Sequence, residues 1–240
     1  MPLGDSMKKI RKSILFLSFI IVSLIFITLL ITKTVEAIVN LNDNTTVIYI
    51  DPGHGGFDGG ATSVDKKTIE KDITLKVSLY LKRYLERTNI KVMLTRDKDI
   101  SLASTKRNDI LKRVSLINNS NCDLYISIHV NSYTSSMISG AQTFYNSSNK
   151  ENKYLADSIL KQVKLIDQDN KRISKELTGK YLLDYVDKIG CLVEIGFLTN
   201  LNELAKLKED TYLENMAFMI YLGILDYLEV KTYETINFEN

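Results

Sequence analysis

The chain has only two histidines. One, His54, lies in IYIDPGHGGFDGGA, where an apolar run gives way to a glycine-rich loop. The other, His129, ends the run DLYISIH, and a glutamate, Glu194, ends GCLVE. A second glutamate, Glu70, opens EKDITLKV, a segment with helical periodicity. Imidazole and carboxylate side chains bind divalent metals and move protons near neutral pH. Two neutral imidazoles and one carboxylate are a ligand set of catalytic zinc, leaving a fourth position for water, and a second carboxylate nearby can take that water's proton. Each residue taken singly also has a plainer use. A histidine at a strand end is commonly a hydrogen-bonded loop residue, and a glutamate in a first helical turn complements the helix dipole. Glu194, between Val193 and Ile195, is harder to dismiss, because a carboxylate in a strand buried on both faces is costly to desolvate unless it meets a cation or donors.

The elements that would carry these residues follow from periodicity. TTVIYI, residues 45–50, is a β-branched strand. A helix begins near Ile69, with Ile73, Val77, Tyr80, Leu81 and Tyr84 at 3.6-residue spacing. IKVMLT is the next strand, and 102–119 reads as a helix with Ile110, Leu111, Val114 and Ile117 on one side. DLYISIHV and GAQTFYN are strands, 150–168 is a helix, and GCLVEIGF is a short buried strand. Asn200 followed by Glu203 resembles a capping box, and 210–229 is a final helix. This alternation predicts an α/β fold: one domain over 45–240 with a central twisted, mostly parallel β-sheet and helices on both faces. In such sheets the chemistry gathers beyond the carboxyl ends of the strands. That rule puts His54, His129 and Glu194 along one edge, with the helix that Glu70 opens beside them. The glycines around His54 let the backbone turn sharply and leave room for a substrate chain.

Four segments, IYIDPGHGGFDGGA, IEKDITLKV, DLYISIHVNS and LVEIGFLTN, resemble in order and spacing the zinc-dependent N-acetylmuramoyl-L-alanine amidases of the Amidase_3 type, over about residues 45–229. The resemblance implies a compact α/β domain in which His54, Glu70 and His129 ligate Zn²⁺ and Glu194 is the catalytic glutamate. It implies hydrolysis of the amide joining the lactyl group of N-acetylmuramic acid to the L-alanine of the peptidoglycan stem peptide. LTRDKD, Arg113 and Asn118 also match family positions, with a role as scaffold or groove support. The family usually has a proline shortly before the glutamate strand. This chain has Gly190 and Cys191 there, which leaves the seating of Glu194 less preset. A single catalytic domain without wall-binding repeats is similar to the germination-specific amidases of spore formers. Those act on cortex peptidoglycan on the way to muramic-δ-lactam, which implies a place in the space between forespore and mother cell. Family members are also controlled by activator proteins. Two rival readings remain at this point: a zinc deacetylase of the glycan's N-acetyl groups, and a non-catalytic peptidoglycan-binding scaffold.

Composition narrows the classes further. A net charge of +2 with basic and acidic residues interspersed gives no reason to expect nucleic acid as a partner. The N-terminus departs from this pattern. MKKIRKS places four cations in the segment 1–12 directly before ILFLSFIIVSLIFITLLIT, residues 14–32, which carries no charge. The segment 13–32 is therefore a transmembrane anchor or a signal peptide, followed by a polar linker at 33–44. Its length favours an uncleaved anchor, although VEA at 35–37 has the form of a cleavage site. Met7 reads as the natural start, and the positive flank places everything after Lys33 outside the cytoplasm. There Cys122 and Cys191 could pair, but they read better as two small buried hydrophobes.

Overall fold

The structure is a computed structural model that describes residues 16–17, 20–29, 33, 45–179 and 181–238. It divides into two units, Met1–Thr45 and Thr46–Asn240. In the first, residues 20–29 are helical and most of their side chains are exposed. The rest of the expected anchor or signal peptide, the basic segment 1–12, the VEA at 35–37 and the linker beyond residue 33 lie outside the described residues. Among the described residues no helix is long and apolar enough to cross a membrane.

The second unit is an α/β domain around one six-stranded sheet of order β2-β1-β3-β6-β4-β5. β1 (Thr46–Pro52) pairs in parallel with β2 (Ile90–Leu94) and with β3 (Leu124–Asn131), and β3 pairs in parallel with β6 (Ile189–Phe197). β4 (Gln142–Tyr145) runs antiparallel to β6, and β5 (Lys175–Glu176) is parallel to β4. The sheet is mostly parallel, as expected, with its reversed strands at one side.

β1 shows why the central strands read as continuous apolar runs: both of its faces are covered. Ile48 and Ile50 join a core with α1 (Glu70–Leu85), α3 (Lys150–Val163) and α6 (Asp210–Phe238). Val47 and Tyr49 join a second core with α2 (Lys106–Asn118) and α4 (Tyr181–Tyr185). Helices thus lie on both faces. Cys191 belongs to the first core and Cys122 to the second, and both thiols are free and buried.

Three local expectations change. Leu111 is 40% exposed, because the inner face of α2 near the cleft is occupied by the buried ionic residues Asp109 and Arg113. Asn200 does cap α5 (Leu201–Leu207), accepting from the backbone N–H groups of Asn202 and Glu203. Glu203, however, does not close a capping box; its carboxylate accepts instead from the backbone N–H groups of Gly140 and Phe197. Finally, α6 extends to Phe238, past the expected end at residue 229.

Candidate active site

β1 delivers the first site residue through a backbone turn that needs several supports. His54 itself has a left-handed φ of 61° and is followed by Gly55 and Gly56, both at positive φ. Gly53 allows the closest approach, since a Cβ there would stand 2.3 Å from Cε1 of the His129 ring. Two buried guanidiniums hold the turn. Arg96 donates to the carbonyls of Pro52 (3.0 Å) and Gly53 (2.8 Å). Arg113 donates to those of Pro52 (2.7 Å) and His54 (2.6 Å). Arg113 is anchored in turn by Asp109 (2.6 Å) and by Asp51 (2.8 Å). Asp51 is 2% exposed and also accepts from Thr95 and Ser127. Burial pushes its carboxyl up, but Arg113 and the two hydroxyls outweigh burial and hold it below its ordinary value.

α1 supplies Glu70 as its first residue. One oxygen, Oε2, accepts from the backbone N–H of Ala61 at 2.7 Å, and the other, Oε1, accepts from that of Val130 at 3.1 Å. Oε1 therefore stands 3.2 Å from His54 Nε2 and 2.9 Å from His129 Nδ1. The three residues bring one ligand atom each within 4.8 Å of one another. Donors held about 2.05 Å from a tetrahedral zinc stand about 3.3 Å apart, close to the 3.2 and 2.9 Å at which the two histidines stand from Glu70 Oε1. The outer nitrogen of His54, Nδ1, lies 2.9 Å from Asp58 Oδ2, which fixes the ring so that Nε2 faces the other donors. Asp58 itself pairs with Lys106 at 2.6 Å. Burial raises the Glu70 carboxyl, but His129 and His54 outweigh it and hold Glu70 well below the usual carboxylate range. Burial also opposes charge on His129, and the hydrogen bond to Glu70 raises its pKa above the ordinary value.

Glu194 sits directly across from His129 in the β3–β6 register. Opposed residues in paired strands project to the same face of the sheet. Both line one cleft of about 330 Å³, together with His54, Asp58 and Glu70. Glu194, three residues before the end of β6, is half-buried, not enclosed on both sides as expected, because it lines this cleft. The Gly190 departure has a local reason. A Cβ at Gly190 would stand 2.1 Å from the Tyr125 ring, and its N–H donates to Asn152 at 2.9 Å. This hydrogen bond and the close approach to the Tyr125 ring hold the backbone at Gly190, four residues before Glu194.

The structure also places residues whose roles the sequence left unassigned or did not single out. Asn118 ties α2 to the chain before β6, donating to the Tyr185 carbonyl and accepting from the Asp187 N–H. Asp58 went unnoticed because an aspartate among glycines reads as a turn. The apolar part of the cleft, Leu177, Leu182 and Leu192, draws two of its residues from β5–α4, a segment too short for periodicity to reveal.

A His–Glu–His donor set at the carboxyl edge of an open α/β sheet, with another carboxylate across from one histidine, is an arrangement able to hold a catalytic divalent metal. Residues 48–226 match the Amidase_3 family, N-acetylmuramoyl-L-alanine amidase, and the chain belongs to that family. It is 41% identical over 193 residues to the germination-specific N-acetylmuramoyl-L-alanine amidase of Bacillus subtilis, a match covering 77% of this chain and 81% of that protein. Its fold is similar to that of the CwlD amidase from Clostridioides difficile, solved in complex with the GerS lipoprotein. The TM-score is 0.74 at 38% identity, covering 78% of this chain and 100% of the other. An N-acetylmuramoyl-L-alanine amidase from Clostridium difficile 630 aligns at a TM-score of 0.71 and 28% identity, covering 78% and 98% of the two chains.

Proposed function

We propose that this amidase uses zinc, held by His54, Glu70 and His129, and that Glu194 is its catalytic acid–base. The observation that carries the reading is the convergence of His54 Nε2, Glu70 Oε1 and His129 Nδ1 beside Glu194 in one cleft. When bound, zinc polarises an amide carbonyl and makes an adjacent water more acidic. Glu194 takes a proton from the attacking water as its oxygen bonds to the carbonyl carbon. The carbon–nitrogen bond then breaks, and Glu194 returns the proton to the departing nitrogen. Asp58 holds the His54 ring through this cycle, and the Ala61 and Val130 N–H groups hold the Glu70 carboxylate.

The substrate is the muramyl–L-alanine amide of peptidoglycan, and the setting is the spore cortex, where removal of stem peptides precedes muramic-δ-lactam and permits germination. The 41% identity to a germination-specific amidase supports this. Action is extracytoplasmic, between forespore and mother cell, with the apolar segment 14–32 serving as membrane anchor. A partner protein that controls the enzyme fits the same reading, since the CwlD amidase from C. difficile was solved in complex with the GerS lipoprotein.

Glu194→Gln tests the assignment. The variant should retain zinc and lose peptide release from peptidoglycan by at least about a hundredfold. Wild-type turnover by Glu194→Gln would refute the role. Chelation should abolish wild-type activity and added zinc should restore it. Mass spectrometry of the digest should show freed stem peptides; loss of acetyl groups instead would identify a deacetylase.

A further inference from the structure

The LTRDKD segment, residues 94–99, supplies neither a metal donor nor a lining residue of the cleft. Yet it bonds to both elements that carry the first two donors. Arg96, 2% exposed, donates through Nε to the Pro52 carbonyl and through Nη2 to the Gly53 carbonyl, which immediately precedes His54. The same Nη2 reaches the Lys71 carbonyl at 2.9 Å and Thr74 Oγ1 at 3.0 Å, in the first turns of the helix that Glu70 opens. Thr74 Oγ1 closes the ring by donating to the Gly53 carbonyl at 2.8 Å. Three residues on, Asp99 repeats the bridge at the surface: it accepts from the Gly56 N–H and from Lys71 Nζ, both at 2.7 Å. Burial draws the Arg96 pKa down to about 10, which leaves it charged at neutral pH.

We infer that Arg96 is a positioning residue for the metal centre: it sets the separation between His54 and Glu70, and through that separation the affinity for the ion. This rests on the reading of His54, Glu70 and His129 as metal ligands. The geometry distinguishes Arg96 from Arg113, whose hydrogen bonds go to Asp109, to Asp51 and to the Pro52 and His54 carbonyls, and among the described residues to no atom of α1. His54 holds a left-handed φ of 61°, a conformation that a non-glycine residue keeps only when its surroundings impose it. Removing the guanidinium frees the Pro52, Gly53 and Lys71 carbonyls from one shared donor, so the loop and the helix can move apart. A lysine cannot replace it, because a single ammonium cannot present a planar fork to acceptors on both elements.

The test is zinc affinity of the full chain, measured by competition with a chromophoric chelator, alongside thermal unfolding of the zinc-free form. Arg96→Lys should bind zinc about 10- to 100-fold more weakly, the usual consequence of losing a partner that orients metal ligands. Amide hydrolysis by the variant should recover toward wild type as zinc is raised, since the residue acts on loading and touches no reacting atom. Thr74→Val removes one strut with little change of volume and should weaken zinc binding by a smaller factor, which keeps the test decisive if Arg96→Lys does not fold. Zinc affinity within twofold of wild type in a folded Arg96→Lys, or in Thr74→Val if the former is unfolded, would overturn the inference while leaving the ligand assignment intact. If the wild-type chain binds no zinc that His129→Ala abolishes, the ligand assignment fails, and the inference fails with it.

Discussion

The cleft has a polar part and an apolar part, and they are built on different principles. The chain from Gly53 to Ile69 that carries His54 has little regular structure beyond two isolated bridges, yet it is held by directional bonds: Arg96 and Arg113 to three successive carbonyls, and Asp58 to the histidine ring. The apolar part, Leu177, Leu182 and Leu192, comes from the residue just after β5, from α4 and from β6, and packs into the second core. A donor atom must stand at a fixed distance and angle, which dispersion forces cannot enforce because they are individually weak and non-directional. An apolar wall need only fill space and exclude water. The comparison teaches that metal affinity and stability of this cleft should be separable, the first depending on the polar part and the second drawing heavily on the apolar one.

The largest expected effect lies on the polar side. Gly60 has a φ of 71°, and a Cβ there would stand 2.5 Å from Glu70 Oε2 and 2.6 Å from the His54 ring. Neither neighbour can give way without moving a donor atom, so Gly60→Ala should weaken zinc binding by about 100-fold or more in a competition titration. An affinity within tenfold of wild type would mean that the donor set tolerates displacement, and the contrast between the two parts would lose its basis. The next effect is on the apolar side. Leu182→Ala should cost about 2–5 kcal/mol in chemical denaturation, the usual range for a buried leucine, while zinc affinity stays put. A parallel fall in zinc affinity would show that the two parts are coupled.

How far the sequence disclosed this arrangement differs between the same two parts. β1 was legible because burial on both faces makes it a continuous apolar run, and the glycine loop after it marks a turn. Glu70 was legible as the start of an amphipathic helix. Glu194 was found for a reason that proved only half right: the cost of burying a carboxylate pointed to it, but the residue lines the cleft and is half-buried. The inner face of α2 misled, since Asp109 and Arg113 take positions that helical periodicity would give to apolar residues. β5 has two residues and α4 five, too few to display a period of two or of 3.6. The roles of Arg96 and Asp58 depend on which carbonyl or ring each meets across tens of positions of sequence, or four, and residue type alone does not say.

A smaller effect should appear in acid and, within the cleft, belongs to the polar part. The folded-state pKa of Asp51 lies below the ordinary 3.8, since its bonds to Arg113, Thr95 and Ser127 outweigh burial. A carboxyl depressed on folding stabilises the protein at pH values above its unfolded pKa, and that stability is lost as pH falls toward the folded value. The zinc-free chain should therefore lose stability on acidification below about pH 4, and Asp51→Asn should flatten that part of the curve. An unchanged slope in Asp51→Asn would assign the acid sensitivity to other carboxyls.

The smallest effect makes a matched pair with the first. Gly179, between the two apolar residues Leu177 and Leu182, has a φ of 78°, close to that of Gly60, but a Cβ there would meet nothing within 4 Å. Backbone conformation alone then sets the cost of Gly179→Ala, about 1 kcal/mol for an L-residue held in the left-handed region. Zinc affinity should not change. Because φ is nearly the same at the two glycines, the difference between the variants isolates what surrounds the backbone: donor atoms at Gly60, open space at Gly179. If Gly179→Ala also weakened zinc binding, the β5–α4 segment would have to bear on the donors through the backbone, and the cleft would behave as one unit instead of two.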